Sequence, residues 1–464
     1  MNNLWMLTEE RPKVSVVKTI SELYKNEFQP NQSLKFSENV RIKPIIKDNN
    51  FKFCYEVEGI TINSIDKIYI KTVSGNSSFV DYLVFKQEDE PKEDFVSDIP
   101  IMAIEETKTS DNESRNTGVY QRATKFMLVS HYYKNTKMYM LYNDELNDNP
   151  YKTPSDTSIF GTNLLLTLGV KIVGKNIDQF KSFTSIAEVI EAKNSMRLPP
   201  KGNVPILIKK YPDKITISGR LSKPANAGNI GHDPNIGALS LISSVIRKLG
   251  WKKRIVIEQH GVSQNTVTKH SNNKFLLICN LLNLELEGIT IDKNIRFPKQ
   301  YWHYEKSSEK VASILLHLLC LYSGIDGIYQ NHAGCERGYF KTKNGNLVTI
   351  PKLDRFNNKL YIPDLILYNK MTNEVLLIEG KRYLTIKNGL EELSLYNSIE
   401  DEFIKKYYPE CSVYRYLSIF GDNLKSLPDK KVCFYLADNG YIIVNDDSQK
   451  WLKTIIDNVN EITQ

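Results

Sequence analysis

LYIPDLILYNKMTNEVLLIEGKRY, residues Leu360 to Tyr383, is the most informative run in this 464-residue chain. It reads as two apolar strands, Leu360–Tyr368 and Glu374–Tyr383, joined by a turn over Asn369–Asn373. Charge is set inside both. Asp364 follows Pro363 in the first strand, and Glu379 and Lys381 stand two apart in the second. Residues two apart on a strand share a face, so Glu379 and Lys381 project together, and the hairpin can bring Asp364 beside them. Two carboxylates and an ammonium within apolar strands are costly unless they bind something. A divalent cation offsets that cost, since magnesium takes hard oxygen ligands. An ordinary ion pair accounts for a lone Asp or Lys on a strand. It accounts less well for Pro-Asp, an apolar hairpin and Glu-x-Lys together.

This pattern resembles the PD-(D/E)XK nuclease motif of most type II restriction endonucleases and several repair nucleases. The resemblance implies a restriction-endonuclease-like core, a mixed α/β sheet flanked by helices. It also implies magnesium (Mg2+) held by Asp364, Glu379 and the carbonyl of Gly380, with Lys381 as the catalytic cation that orients the attacking water. A polar residue four before a Tyr or Gln often follows on the next helix, and Glu392 and Tyr396 fit loosely. Glu309, at the start of the helix expected over Ser308–Tyr322, is a weaker candidate for a further acidic ligand, because Glu there commonly serves only the helix dipole.

The first third repeats the same order of helix, strands, helix and strand. Its expected elements are a helix over Val14–Phe28, strands over Phe51–Val57, Lys67–Thr72, Phe79–Phe85 and Ile99–Lys108, a helix over Glu113–Tyr133 and a strand over Lys137–Tyr142. Asp81 interrupts FVDYLVF, and IPIMAIEETK ends in Glu106-x-Lys108. Asp81, Glu106 and Lys108 are therefore expected to form a second catalytic and metal-binding set. Glu105 is a substitute ligand whose side chain should face away. The helix that follows carries Arg115, Asn116, Gln121 and Arg122, side chains suited to phosphate or base contacts. The plain alternative is a strand pair with charged ends.

The middle of the chain is basic. From Met196 to Arg254 there are twelve Lys or Arg and two Asp, while the whole chain carries only +7. Such a block favours a polyanionic partner. Within it lies ISGRLSKPANAGNIGHDPNIGALS (Ile217–Ser240), whose Arg220, Lys223, Asn226, Asn229, His232 and Asn235 are the donors that read base edges or phosphates. Its glycines match no phosphate-binding loop. It reads as either a DNA-reading loop or a long structural connection, and the basic surroundings favour DNA.

Polar Asn143–Ser155 and the Pro199–Pro200 pair punctuate the chain. The expected domains are residues 1–150, with restriction-endonuclease-like character; 151–295, for DNA recognition; and 296–464, the nuclease domain. Six scattered cysteines read as reduced core residues. His317-x-x-Cys320 and His332-x-x-Cys335 mimic halves of a zinc site, but a buried helix face explains the first pair. No signal core or membrane-length apolar run is seen, so a cytoplasmic protein without membrane partners is expected. The functional expectation is a magnesium-dependent type II restriction endonuclease acting on double-stranded DNA as a monomer or homodimer. The alternatives are a repair or junction nuclease and a DNA-binding protein with a degenerate nuclease core.

Overall fold

The structure, a computed structural model, describes residues 2–9, 11–73, 79–92, 98–107, 118–142, 155–174, 177–196, 205–220, 234–269, 274–293, 302, 309–331 and 339–461. It is mixed α/β, with mixed sheets flanked by helices. The chain divides into two compact units that do not follow three consecutive segments. Met1–Ser74, Lys86–Pro91 and Tyr304–Gln464 make one unit, and Gly75–Phe85 with Lys92–His303 make the other. Among the described residues, no helix is long and apolar enough to cross a membrane.

The first unit holds a six-stranded sheet in the order Asp326–Gln330, Leu365–Asn369, Glu374–Arg382, Ser412–Phe420, Val432–Leu436, Ile442–Val444. The strand Leu365–Asn369 runs antiparallel to Glu374–Arg382, as the expected hairpin requires. Its turn is closed by Asn369, whose Oδ1 accepts from the amide of Met371 at 2.9 Å, and by Asn373 in the left-handed region. Glu374–Arg382 then pairs parallel with Ser412–Phe420. A parallel neighbour needs a crossover, and the helical run from Tyr383 to Tyr407 supplies it. That run alternates among 3-10, α and π turns, where the sequence led us to expect one helix. Central strands covered on both faces read as continuous apolar runs, and Val375 to Lys381 are all buried.

The helix Val311–Tyr322 packs on this sheet with Ala312 through Cys320 buried, as an apolar-all-round helix must be. His317 lies against Gly327, where a Cβ would sit 2.2 Å from its Nε2. Packing thus explains the His317/Cys320 pair; His332 and Cys335 lie outside the described residues. The amino-terminal strands also belong to this unit. Leu34–Lys47 and Asn50–Ile62 form a long hairpin turning at Asp48–Asn49, both with positive φ. The strand Asn460–Glu461 pairs parallel with Ile46 and Lys47 of Leu34–Lys47, so a late segment joins the sheet of early strands.

In the second unit, Tyr82–Gln87 pairs antiparallel with Met102–Thr107, which pairs parallel with Lys137–Tyr142, and that in turn with Lys171–Val173. The antiparallel–parallel–parallel succession is the one seen across Leu365–Asn369, Glu374–Arg382, Ser412–Phe420 and Val432–Leu436. The crossover helix here is Gly118–Tyr132. It packs against Pro234–Lys248 so closely that a Cβ on Gly237 would meet the Tyr120 carbonyl oxygen at 2.0 Å. A separate four-stranded sheet, in the order Leu284–Leu286, Arg254–Glu258, Lys214–Ser218, Leu207–Lys210, completes the described strands of this unit.

Candidate active site

Asp364 and Glu379 stand opposite each other, one residue beyond the Leu365–Ile378 pair of the antiparallel ladder. Both are buried, as is Lys381. The Gly380 amide donates to Asp364 Oδ2 at 3.1 Å. Lys381, on the same face as Glu379 two residues back, places Nζ 2.6 Å from Glu379 Oε1 and 2.8 Å from Glu392 Oε2. From the crossover, Tyr396 donates its hydroxyl to Glu379 Oε2 at 2.5 Å. Lys310, just before the apolar helix, reaches Asp364 Oδ1 at 3.5 Å and donates to the Asn331 carbonyl at 2.7 Å.

The electrostatics follow from burial. Desolvation raises Glu379 to about 7, and the neighbouring Asp364 charge adds to this, while Lys381 and Tyr396 oppose it. Desolvation also raises Asp364, with Lys310 pulling the other way. Burial works against the charge on Lys381, but its hydrogen bonds to Glu379 and Glu392 hold it above the ordinary lysine range. Two carboxylates that resist ionising side by side are what a hard cation resolves, because it favours both charged forms at once. Glu392 and Tyr396, which fit the sequence pattern only loosely, both reach the centre. Glu309 brings its carbonyl oxygen to 3.1 Å from where a Gly380 Cβ would lie, and its charge adds a small upward push on Asp364. Lys310 was missed; the only signal for it was its position at the mouth of the apolar helix.

In the second unit the register selects a different glutamate from the one expected. Tyr82 pairs with Ile104, so Asp81 stands opposite Glu105, not Glu106. The side chain of Glu105 is fully buried, and its Oε1 accepts from the Asp81 amide at 3.2 Å. Glu106 contributes its backbone, donating to Asp81 Oδ2 at 2.7 Å. Glu105 thus faces Asp81, not away from it, because the pairing sets the strand's phase one residue from that expected. Lys108 lies outside the described residues, as do Arg115 and Asn116. Gln121 falls on the crossover helix, with its side chain outside what is described. Arg122 and Lys125 on that helix reach Glu105 instead, at 3.5 Å to Oε2 and 2.9 Å to Oε1. Burial first, then the Asp81 charge, push Glu105 up to about 8, with Lys125 and Arg122 pulling back. Lys125 was also missed, although its spacing of three from Arg122 puts both on one helix face.

Of the expected base-reading residues, Lys223, Asn226, Asn229 and His232 lie outside the described residues. Arg220 is exposed, its side chain lying along Gly261. Asn235 donates Nδ2 to the Arg220 carbonyl at 2.6 Å, holding the two ends of the loop together. Part of the basic block is structural. Arg247 donates to the carbonyls of Leu282, Trp251, Lys253 and Asn283, and Arg254 pairs with Glu285. Lys209, Lys210, Lys252 and Lys253 are exposed. No protein-family model, no curated protein and no solved structure matches this chain.

Proposed function

We propose that the chain is a magnesium-dependent endonuclease of the type II restriction kind, with a restriction-endonuclease-like core, that hydrolyses phosphodiester bonds at a defined sequence in double-stranded DNA. One observation carries this reading: Asp364 and Glu379 face each other on adjacent strands, with Lys381 2.6 Å from Glu379. The donor set fits magnesium. Its members are hard oxygens of two buried carboxylates and the Gly380 carbonyl, and burial alone disfavours both carboxylate charges.

Asp364, Glu379 and Gly380 would hold the metal, which when bound polarises a phosphoryl oxygen and steadies negative charge on the departing oxygen. The chain's own groups supply the rest. Tyr396 fixes one oxygen of Glu379, leaving the carboxylate one orientation. Lys310 and the Gly380 amide do the same for Asp364. Lys381, held between Glu379 and Glu392, is a permanent ammonium that can orient a water for in-line attack. Glu392, partly exposed, holds the other side of that ammonium and so fixes its direction. Exposed lysines of the 209–253 region supply sequence-independent affinity for the phosphate backbone.

The test is digestion of a sequenced plasmid with magnesium and with chelator, followed by mapping of the ends. Cuts at one recurring sequence, abolished by Glu379→Ala while DNA binding persists, are expected. Full activity of that variant, or cleavage indifferent to chelator, would remove the assignment. A preference for branched over linear duplex would redirect it to a junction nuclease.

A further inference from the structure

We infer that the second unit carries its own divalent-cation centre for phosphodiester hydrolysis, with Asp81 and Glu105 as ligands and Lys125 from the crossover helix in the role of Lys381. The inference rests on the nuclease reading of the Asp364 centre and extends it to the other DNA strand.

The two centres share four contacts. In each, an aspartate immediately before a strand stands opposite a glutamate on the antiparallel neighbour. In each, the amide one residue past the glutamate donates to Oδ2 of the aspartate: Gly380 to Asp364 at 3.1 Å, and Glu106 to Asp81 at 2.7 Å. In each, a lysine ammonium meets Oε1 of the glutamate: Lys381 at 2.6 Å and Lys125 at 2.9 Å. A lysine also approaches Oδ1 of each aspartate: Lys310 at 3.5 Å and Lys125 at 3.9 Å. The difference lies in where the cation is anchored. Two residues past the glutamate, where Lys381 stands, the second unit has Thr107. A lysine from the crossover helix reaches the glutamate instead.

One carboxylate oxygen of this cluster has an ion pair but no hydrogen bond. Glu105 Oε2 is buried and has no hydrogen-bond partner among the described residues, the nearest cation being Arg122 Nε at 3.5 Å. A buried carboxylate oxygen without a hydrogen bond is costly. Glu105 itself stands opposite Asp81 across the strand pair, and two carboxylates so placed are a donor set that a hard cation takes. In the step proposed, a water oxygen bonds to phosphorus and one bridging P–O bond breaks. One water proton ends on the departing oxygen, and no oxidant or reductant is needed.

The experiment compares Glu105→Gln, Asp81→Asn, Glu106→Gln and Glu379→Gln in the full chain by two readouts. Strand-resolved mapping on a single-site supercoiled plasmid should show Glu105→Gln and Asp81→Asn nicking one strand and Glu379→Gln nicking the other. Glu106→Gln should still break both. Bound Mn2+, counted by loss of the free-ion electron paramagnetic resonance signal, should fall by one ion per chain in Glu105→Gln, Asp81→Asn and Glu379→Gln, and stay at the parent value in Glu106→Gln. Double-strand breaks and a parental Mn2+ count in both Glu105→Gln and Asp81→Asn would overturn the second centre. If the parent cuts nothing, the nuclease reading falls, and the proposed hydrolytic centre falls with it. In that case the Mn2+ counts still decide whether Asp81 and Glu105 bind a cation.

Discussion

The amide of Gly380 donates to Oδ2 of Asp364 across the strand pair, and a side chain beside it would be crowded. A Cβ at residue 380 would sit 3.1 Å from that oxygen, 3.1 Å from the Glu309 carbonyl oxygen and 3.2 Å from Ser313 Oγ. The glycine therefore lets two strands and a helix end converge on one carboxylate.

Gly380→Ala should push the Asp364 carboxylate off its amide donor. Overpacking of this kind costs about 1–3 kcal/mol of stability, and if Asp364 holds the proposed metal, its displacement should slow cleavage by at least about tenfold. Urea unfolding and single-turnover cleavage measure the two effects separately. Parental values in both would mean that Asp364 moves aside without consequence.

Tyr396→Phe removes one hydrogen bond to a buried carboxylate and changes little else. Bonds to charged groups are worth about 1.5–3 kcal/mol, so cleavage should slow by about tenfold to a hundredfold while DNA affinity holds. Glu392→Gln should have a smaller effect, since its side chain is partly exposed and Lys381 keeps Glu379. An equal loss in DNA binding by Tyr396→Phe would place the tyrosine at the DNA, not behind the glutamate.

The Asp364 centre was legible because a charged triplet stands out inside two apolar strands, and a short turn fixes their register. The Asp81 centre was only half legible. Its strands are joined by the long connection 88–101, which sets no register, and a one-residue slip moves a side chain to the opposite face. Glu105-Glu106 is where such a slip cannot be detected from sequence. Lys310 and Lys125 arrive from helices, through packing that no strand pattern encodes. The strand Ser412–Phe420 escaped notice because its first half, with Arg415, is partly exposed and its second half is uniformly buried, so it has no single period. The pairing of the first 74 residues with the C-terminal region depends on tertiary contacts such as that of Asn460–Glu461 with Leu34–Lys47.

Gly237→Ala tests the packing under the second unit. A methyl there would meet the Tyr120 carbonyl oxygen at 2.0 Å and its carbon at 2.4 Å, both backbone atoms that cannot swing aside. The helices Gly118–Tyr132 and Pro234–Lys248 must separate, at a cost of about 1–3 kcal/mol. Helix propensity alone would favour alanine by about 1 kcal/mol, so a variant less stable than the parent isolates the steric term. A thermal midpoint above the parent's would mean that the helices are free to part.

The loop proposed to read bases gives the last test, because the structure separates two residues at its ends that the sequence treats alike. Asn235 spends an amide proton on the Arg220 carbonyl, tying residue 220 to residue 235. Arg220 is exposed at the entry to the same loop. Arg220→Ala should relax choice at one base pair of the target by about 1–3 kcal/mol, the worth of a bidentate contact to guanine. Asn235→Ala should instead loosen the loop's ends, lowering stability by about 0.5–1.5 kcal/mol and weakening target and near-target duplexes in proportion. Binding to the target and to each single-base variant, measured across a salt series, distinguishes the outcomes. If Arg220→Ala weakens every duplex equally and lowers the salt slope by about one, the arginine holds a phosphate. Sequence choice then rests on other residues of the loop.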